Sequence, residues 1–108
     1  MAFGIPQRRS PSMPTFSQGD APFHAERALL NEIAAKLEAM GERCAVRLTR
    51  SGAPFLWASG STDARLSEEI TTGRDGDQAY GLWSWGERLP ADPDQAAAAV
   101  RRVINPEA

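Results

Sequence analysis

Side chains that commonly carry out catalysis are scarce in this chain, which has one histidine, His24, and one cysteine, Cys44. Histidine-assisted nucleophilic catalysis would therefore have to use His24. The chain has no G-x-S-x-G motif, which presents the serine nucleophile in many hydrolases. We expect His24 to be a surface residue in the first turn of a helix. We expect Cys44, which alternates with polar neighbours along a strand pattern, to be a small buried hydrophobic residue.

The same residue counts limit metal and phosphate sites. One histidine and one cysteine exclude two-histidine metal motifs and zinc sites built on several thiolates. Asp75 and Asp77 flank Gly76, but the R-D-G-D run lacks the spacing of a calcium loop. It indicates a β-hairpin with a type I′ turn at Asp75-Gly76. No glycine-rich phosphate loop is present. We therefore expect no catalytic residues, no metal and no cofactor, and a protein that is not an enzyme.

Aromatic residues are the most specific feature of the sequence. Trp83 and Trp85 are two residues apart in one strand pattern, and Phe55 and Trp57 are two apart in another. Residues two apart in a strand share a face of the sheet. A face covered by helices would place these rings in the core, which is the stronger expectation because a small domain needs its largest side chains there. An open face would make them a binding surface.

Two faces of one sheet allow both outcomes together. Tyr80 and Leu82 are expected on the face opposite Trp83 and Trp85, so one apolar set can pack on helices while the other receives a partner. The candidate interaction surface comprises Phe55, Trp57, Trp83, Trp85 and Arg47.

Hydrophobic periodicity predicts the elements that must position these residues. Apolar residues recur at helical spacing over 23–40 and 96–104, where Asp92 and Pro93 supply a cap and a first-turn proline for the second helix. Four strands are predicted at 43–50, 55–58, 65–73 and 78–88, separated by turn residues. Strands joined by short turns form an antiparallel meander. We expect a two-layer α+β domain over 23–108, in the order α-β-β-β-β-α.

The N-terminal 1–22 segment is expected to be a flexible tail. It contains prolines at four positions and has neither helical nor strand periodicity. No apolar stretch of the kind found in secretory signals follows Arg8 and Arg9, so we expect a cytoplasmic protein.

Composition narrows the class of protein further. The chain has 108 residues, a formal net charge of -2 and no apolar run of the about 18 residues needed to span a membrane. The excess of acidic over basic residues argues against a nucleic-acid-binding surface that extends over the whole chain. Only Lys36 among the 12 basic residues is a lysine, and alanine is abundant, which is typical of proteins encoded by GC-rich bacterial genomes.

The W-S-W-G-E run at 83–87, which we assign to a strand, is followed by Pro90, Asp92 and an alanine-rich C-terminal helix. Over roughly residues 25–105 the chain resembles a group of small, functionally uncharacterised proteins from GC-rich, actinobacterial-type genomes. Its order of elements also resembles the secretion-chaperone-like fold. The first resemblance implies no activity, and the second implies a fold that hosts binding proteins.

Together these observations favour a non-catalytic protein-interaction module, such as a regulator, an adaptor or a chaperone-like partner. A homodimer through the sheet or the first helix is a further expectation, since exposed apolar faces commonly mark interfaces. One alternative is a nucleic-acid-binding protein that uses Arg8, Arg9, Arg47 and Arg50 together with tryptophan stacking. Another alternative is a carrier of a small ligand, held between the sheet and the helices.

Overall fold

The computed structural model describes residues 22–106, so nearly all of the segment expected to be a tail lies outside the described residues. The elements, in chain order, are α1 (His24–Ala39), β1 (Arg43–Leu48), β2 (Pro54–Ser59), β3 (Ser67–Asp75), β4 (Gln78–Leu82) and α2 (Pro93–Ile104). The strands form one antiparallel sheet in the order β1-β2-β3-β4. The expected α+β meander with two flanking helices is confirmed.

Helix α1 buries the apolar stripe that its periodicity predicts. Leu30, Ile33 and Leu37 are essentially inaccessible to solvent. The helix ends two residues before Gly41, whose φ of +89° is the left-handed conformation that glycine adopts without strain. There the N–H of Glu42 donates to the Leu37 carbonyl, and the N–H of Gly41 donates to the carbonyl one residue further on. These two hydrogen bonds form a Schellman motif and satisfy carbonyls that the helix end would leave unpaired.

Helix α2 begins at the predicted cap. The Asp92 carboxylate accepts a hydrogen bond of 3.1 Å from the N–H of Gln95, and Pro93 occupies the first helical position. Four residues of this helix are buried against the sheet and α1: Ala96, Ala97, Val100 and Ile104. Val103, which lies just beyond the edge of this arc, remains 40% exposed.

The core lies between the helices and one face of the sheet, which we call the inner face. Leu56 and Ala58 of β2 and Ile70 of β3 are fully buried there. Gly60, just after β2, lies so close to the carbonyl oxygen of Ile104 that no side chain fits at this position. This contact brings the end of α2 directly against the sheet.

Two details of the sheet differ from the sequence-based expectation. The β3–β4 turn is centred on Gly76 and Asp77, and only Gly76 has a positive φ. This is the pattern of a type II′ turn, because a type I′ turn requires positive φ at both central residues. The last strand was also predicted to continue to residue 88, whereas β4 ends at Leu82.

Candidate functional site

The face of the sheet opposite the helices carries aromatic side chains, and we call it the outer face. Along β2, Leu56 and Ala58 are fully buried on the inner face, whereas Phe55 and Trp57 alternate with them and are half-buried. Both helices pack on the inner face, so neither helix covers Phe55 and Trp57. The prediction that these two aromatic residues share a face is confirmed.

Strand register extends this outer face across the sheet. Trp57 lies opposite Glu69 of β3, which shares its face with Thr71 and Gly73. On β4, Leu82 and Tyr80 lie opposite Thr71 and Gly73 respectively. The outer face therefore presents four large half-buried side chains, which come from β2 and β4: Phe55, Trp57, Tyr80 and Leu82.

Two arginines lie over aromatic rings of the outer face. The guanidinium carbon of Arg47, which is opposite Phe55 in the register, is 5.1 Å from the centre of the Trp57 ring. The guanidinium carbon of Arg88 is 3.7 Å from the centre of the Tyr80 ring, and Arg88 also donates to Asp75 over 3.3 Å. Arg47 has no carboxylate within ion-pair distance in the described part of the chain. Its charge is thus available to a bound partner.

Trp83 and Trp85 occupy a turn, so their assignment to a strand was wrong. The N–H of Trp83 donates to the carbonyl of Glu87, and the N–H of Gly86 donates to the carbonyl of Trp83. Gly86 has a φ of +98°, which reverses the chain and brings Arg88 back beside Leu82. The alternating aromatic pattern therefore does not mark a continuous strand here.

The two tryptophans nevertheless contact each other. Their rings are stacked with centroids 4.7 Å apart and planes 8° apart. Trp83 is only 8% exposed and belongs to the core, while Trp85 is 55% exposed. The indole N–H of Trp85 donates to a Glu87 carboxylate oxygen over 2.9 Å.

The candidate set therefore does not form one surface. Arg47, Phe55 and Trp57 lie together on the outer face. Trp83 is part of the core, and the exposed Trp85 stacks on the Trp83 ring. Sequence reasoning missed Arg88, whose position over Tyr80 depends on the turn before it. Tyr80 and Leu82 were expected on the face opposite Trp83 and Trp85. In the structure they lie on the outer face, which they share with Phe55 and Trp57.

Cys44 lies where its thiol has little reactivity. Its Sγ donates to the carbonyl oxygen of Ala34 over 3.4 Å, and the residue is half-buried against α1. Burial, with a smaller contribution from the nearby Glu38 carboxylate, raises the pKa of the Cys44 thiol to about 11. His24 is exposed at the first position of α1, ten residues before Ala34 and so about 15 Å along the helix. The structure does not bring this histidine and cysteine together.

A buried carboxylate that sequence reasoning missed connects three parts of the fold. The Glu42 side chain is fully buried and accepts hydrogen bonds from Arg101 Nε and Asn105 Nδ2, both at 3.0 Å, and from the Ser61 N–H at 2.9 Å. Burial acts to raise the pKa of Glu42, but the hydrogen bonds outweigh it and hold this pKa below its ordinary value. Every interaction of this carboxylate is structural, because it links the start of β1, the β2–β3 loop and the end of α2.

Further kinds of site can be assessed only for residues 22–106. Within this range, no three histidine, cysteine, aspartate or glutamate side chains lie close enough together to hold a metal ion. No helix in the same range combines the length and apolar character required to cross a membrane. Comparisons with protein-family models, curated proteins and solved structures found no match for this chain.

Proposed function

We propose that this protein is a non-catalytic interaction module that binds another protein through the outer face of its sheet. The observation that carries the proposal is the position of Phe55, Trp57, Tyr80 and Leu82 on a face that neither helix covers. Large side chains that remain half-exposed on β2 and β4, on either side of β3, supply apolar area of the kind found at interfaces. Aromatic residues and arginine are also the residues that contribute most to binding energy at such surfaces.

The arginines define the chemistry of the partner. Arg47 holds positive charge over the Trp57 ring, whereas the Arg88 guanidinium over Tyr80 already pairs with a carboxylate of the chain. A partner carrying a carboxylate beside an apolar side chain therefore fits this face at Arg47. Glu69 lies beside Trp57 and provides one acceptor for a partner hydrogen-bond donor. A partner segment of mixed acidic and apolar character therefore satisfies both features of the surface.

Affinity capture from cells that naturally express the chain tests this proposal. Wild-type protein is compared with Trp57→Ala and with the matched control Trp85→Ala, which removes an exposed tryptophan outside the outer face. We expect a reproducible protein partner that is retained by the control and lost with Trp57→Ala. Capture that is unchanged by Trp57→Ala would contradict the proposal, and so would recovery of nucleic acid alone.

A nucleic-acid-binding function is the second candidate, and one observation favours it. Arg47 over Trp57, with Phe55 next to both, is an arrangement that stacks exposed bases on an open sheet. The net charge of -2 and the carboxylate of Glu69 beside Trp57 oppose it. Binding of a single-stranded oligonucleotide that weakens steeply with salt would support this function, and no binding at low salt would remove it.

A further inference from the structure

Strand β1 lies at one edge of the sheet and, within the part of the chain that the structure describes, pairs with β2 alone. The N–H of Thr49 donates to the carbonyl of Ala53 over 2.8 Å, and these two residues continue the register of β1 and β2. Because bonded and non-bonded positions alternate in an antiparallel pair, Leu48, Val46 and Cys44 direct their N–H and C=O groups away from β2. A strand edge of this kind is a template for an added strand.

The two sides of the β1 edge differ in chemistry. On the inner face, Cys44 and Val46 are half-buried at the margin of the core, and Leu48 is 54% exposed. On the outer face, Arg43 and Arg47 are exposed. A strand added to this edge therefore meets apolar side chains on one face and positive charge on the other.

Positive charge is concentrated along this edge. The β1–β2 hairpin, residues 43–59, contains three arginines and no acidic residue, although the chain as a whole has a net charge of -2. Among residues 22–106, no carboxylate lies within ion-pair distance of Arg43, Arg47 or Arg50. Glu69, which also lies on the outer face, belongs to β3 and is separated from this edge by β2. The edge thus offers positive charge to the carboxylates of a bound strand.

A second copy of the chain is a poor occupant of this edge. Antiparallel pairing of two β1 strands centred on Ala45 sets Arg43 of one copy opposite Arg47 of the other. Pairing centred on Arg47 sets this residue opposite itself, and pairing centred on Val46 leaves it diagonal to both arginines of the other copy. Because like charges at facing positions are destabilising, the charge of β1 favours a strand that carries carboxylates.

We infer that the partner of the proposed function adds a strand to β1, and that acidic and apolar residues alternate along this strand. Its backbone hydrogen-bonds to the outward groups of Val46 and Leu48, as in other complexes formed by strand addition. Its acidic side chains lie on the outer face beside Arg43 and Arg47, and its apolar side chains extend the inner face beyond Leu48. This mode of binding rests on the proposed function and adds the conformation of the partner segment that contacts Arg47.

Amide hydrogen exchange, measured by NMR on the full chain, tests this mode of binding with two synthetic peptides. In one peptide glutamate and valine alternate over the six-residue length of β1, and in the matched control lysine replaces glutamate. We expect the glutamate peptide to slow exchange of the Val46 and Leu48 amides at least roughly tenfold, and the control to leave it unchanged. The amide of the fully buried Ile70 should exchange at the same rate throughout, which checks that the fold is intact.

Charge reversal in the chain should exchange the roles of the two peptides. The double variant Arg43→Glu, Arg47→Glu changes only exposed positions, so the fold should be retained. We expect the lysine peptide to protect the Val46 and Leu48 amides in this variant, and the glutamate peptide to lose its effect.

Three results would overturn strand addition by an acidic segment. Equal protection by both peptides would show that charge does not select the strand. Protection that increases with protein concentration in the absence of peptide would show that a second copy of the chain covers the edge. A glutamate peptide that fails to protect the edge amides would overturn strand addition, and a simultaneous shift of the Trp57 indole resonance would show that binding on the outer face still occurs.

Discussion

Arg101 Nε lies 3.0 Å from Glu42 Oε2 and joins the last turn of α2 to the residue before β1. The Glu42 carboxylate is fully buried, whereas the Arg101 side chain is 37% exposed. Removing the carboxylate leaves Arg101 Nε and the Ser61 N–H without this acceptor, and it leaves Asn105 Nδ2 with only Ser61 Oγ, at 3.1 Å. Because unpaired buried donors are unfavourable, this one residue has a large influence on stability.

Substitution of Glu42 by alanine should lower the free energy of unfolding by about 3 kcal/mol, because it breaks a buried, hydrogen-bonded ion pair. Denaturation by urea, followed by far-UV circular dichroism, measures the change. The exposed helix residue Glu32 provides the control, since Glu32→Ala should alter stability by less than about 0.5 kcal/mol. Equal stability losses in the two variants would contradict the assigned role of Glu42.

The stability should also depend on pH through Glu42. Its pKa in the folded state lies below the ordinary value of 4.5, so the folded state binds this proton less readily than the unfolded state. The stabilisation is complete above the unfolded pKa and is lost as the pH falls through the folded pKa. In Glu42→Gln this part of the pH dependence should be absent, as urea titrations from pH 7 down to acid would show. If the free energy of unfolding varied with pH in parallel for the wild-type chain and Glu42→Gln, Glu42 would not be the cause of this pH dependence.

Cys44 should react slowly with thiol reagents in the folded protein. A rise of its pKa from 9.0 to about 11 lowers the thiolate fraction at neutral pH by about a hundredfold, and the thiolate is the reactive form. Labelling with a chromogenic disulfide at pH 7 should therefore be at least about a hundredfold slower in buffer than in denaturing urea. Similar rates in the two conditions would show that the Cys44 thiol is not protected.

Trp57 and Trp83 should have separable roles. Trp83 is 8% exposed in the core, so Trp83→Ala should cost about 3–5 kcal/mol of folding free energy. Trp57 is half-buried on the outer face, and Trp57→Ala should cost clearly less while removing partner binding. Thermal unfolding of both variants measures the difference. A greater loss of stability from Trp57→Ala would place Trp57 in the core and contradict the surface role.

Much of the fold follows from local patterns that need no tertiary information. The apolar stripe of α1 and the Asp92 cap both act within a few residues, and both were predicted. The alternation of Phe55 and Trp57 with Leu56 likewise predicted a shared face.

Other features were not predictable from alternation and periodicity. The W-S-W-G-E run alternates like a strand, but a local turn in which Gly86 has a positive φ takes its place and carries Arg88 over Tyr80. Glu42 resembles an ordinary loop residue in the sequence, because its partners Arg101 and Asn105 are about sixty residues away. The local sequence contains no signal for such contacts.

The candidate surface was likewise predicted only in part from the sequence. Register, which here depends on the pairing of β3 with both β2 and β4, adds Tyr80 and Leu82 to Phe55 and Trp57. The spacing of Trp83 and Trp85 predicted a shared face of one strand, which is wrong, because a turn stacks the two rings. Short-range spacing therefore identified neighbours but could not assign them to an exposed or a buried face.

Site-specific photocrosslinking tests the central claim most directly. A benzophenone amino acid replaces Phe55 on the outer face or, as the matched control, the exposed Trp85, and each chain is irradiated in cells that naturally express it. We predict that the position of Phe55 crosslinks to one defined protein, that the position of Trp85 does not, and that adding Trp57→Ala removes the crosslink. No crosslink at the position of Phe55 would contradict the account, as would a crosslink there only to nucleic acid or to a second copy of the chain.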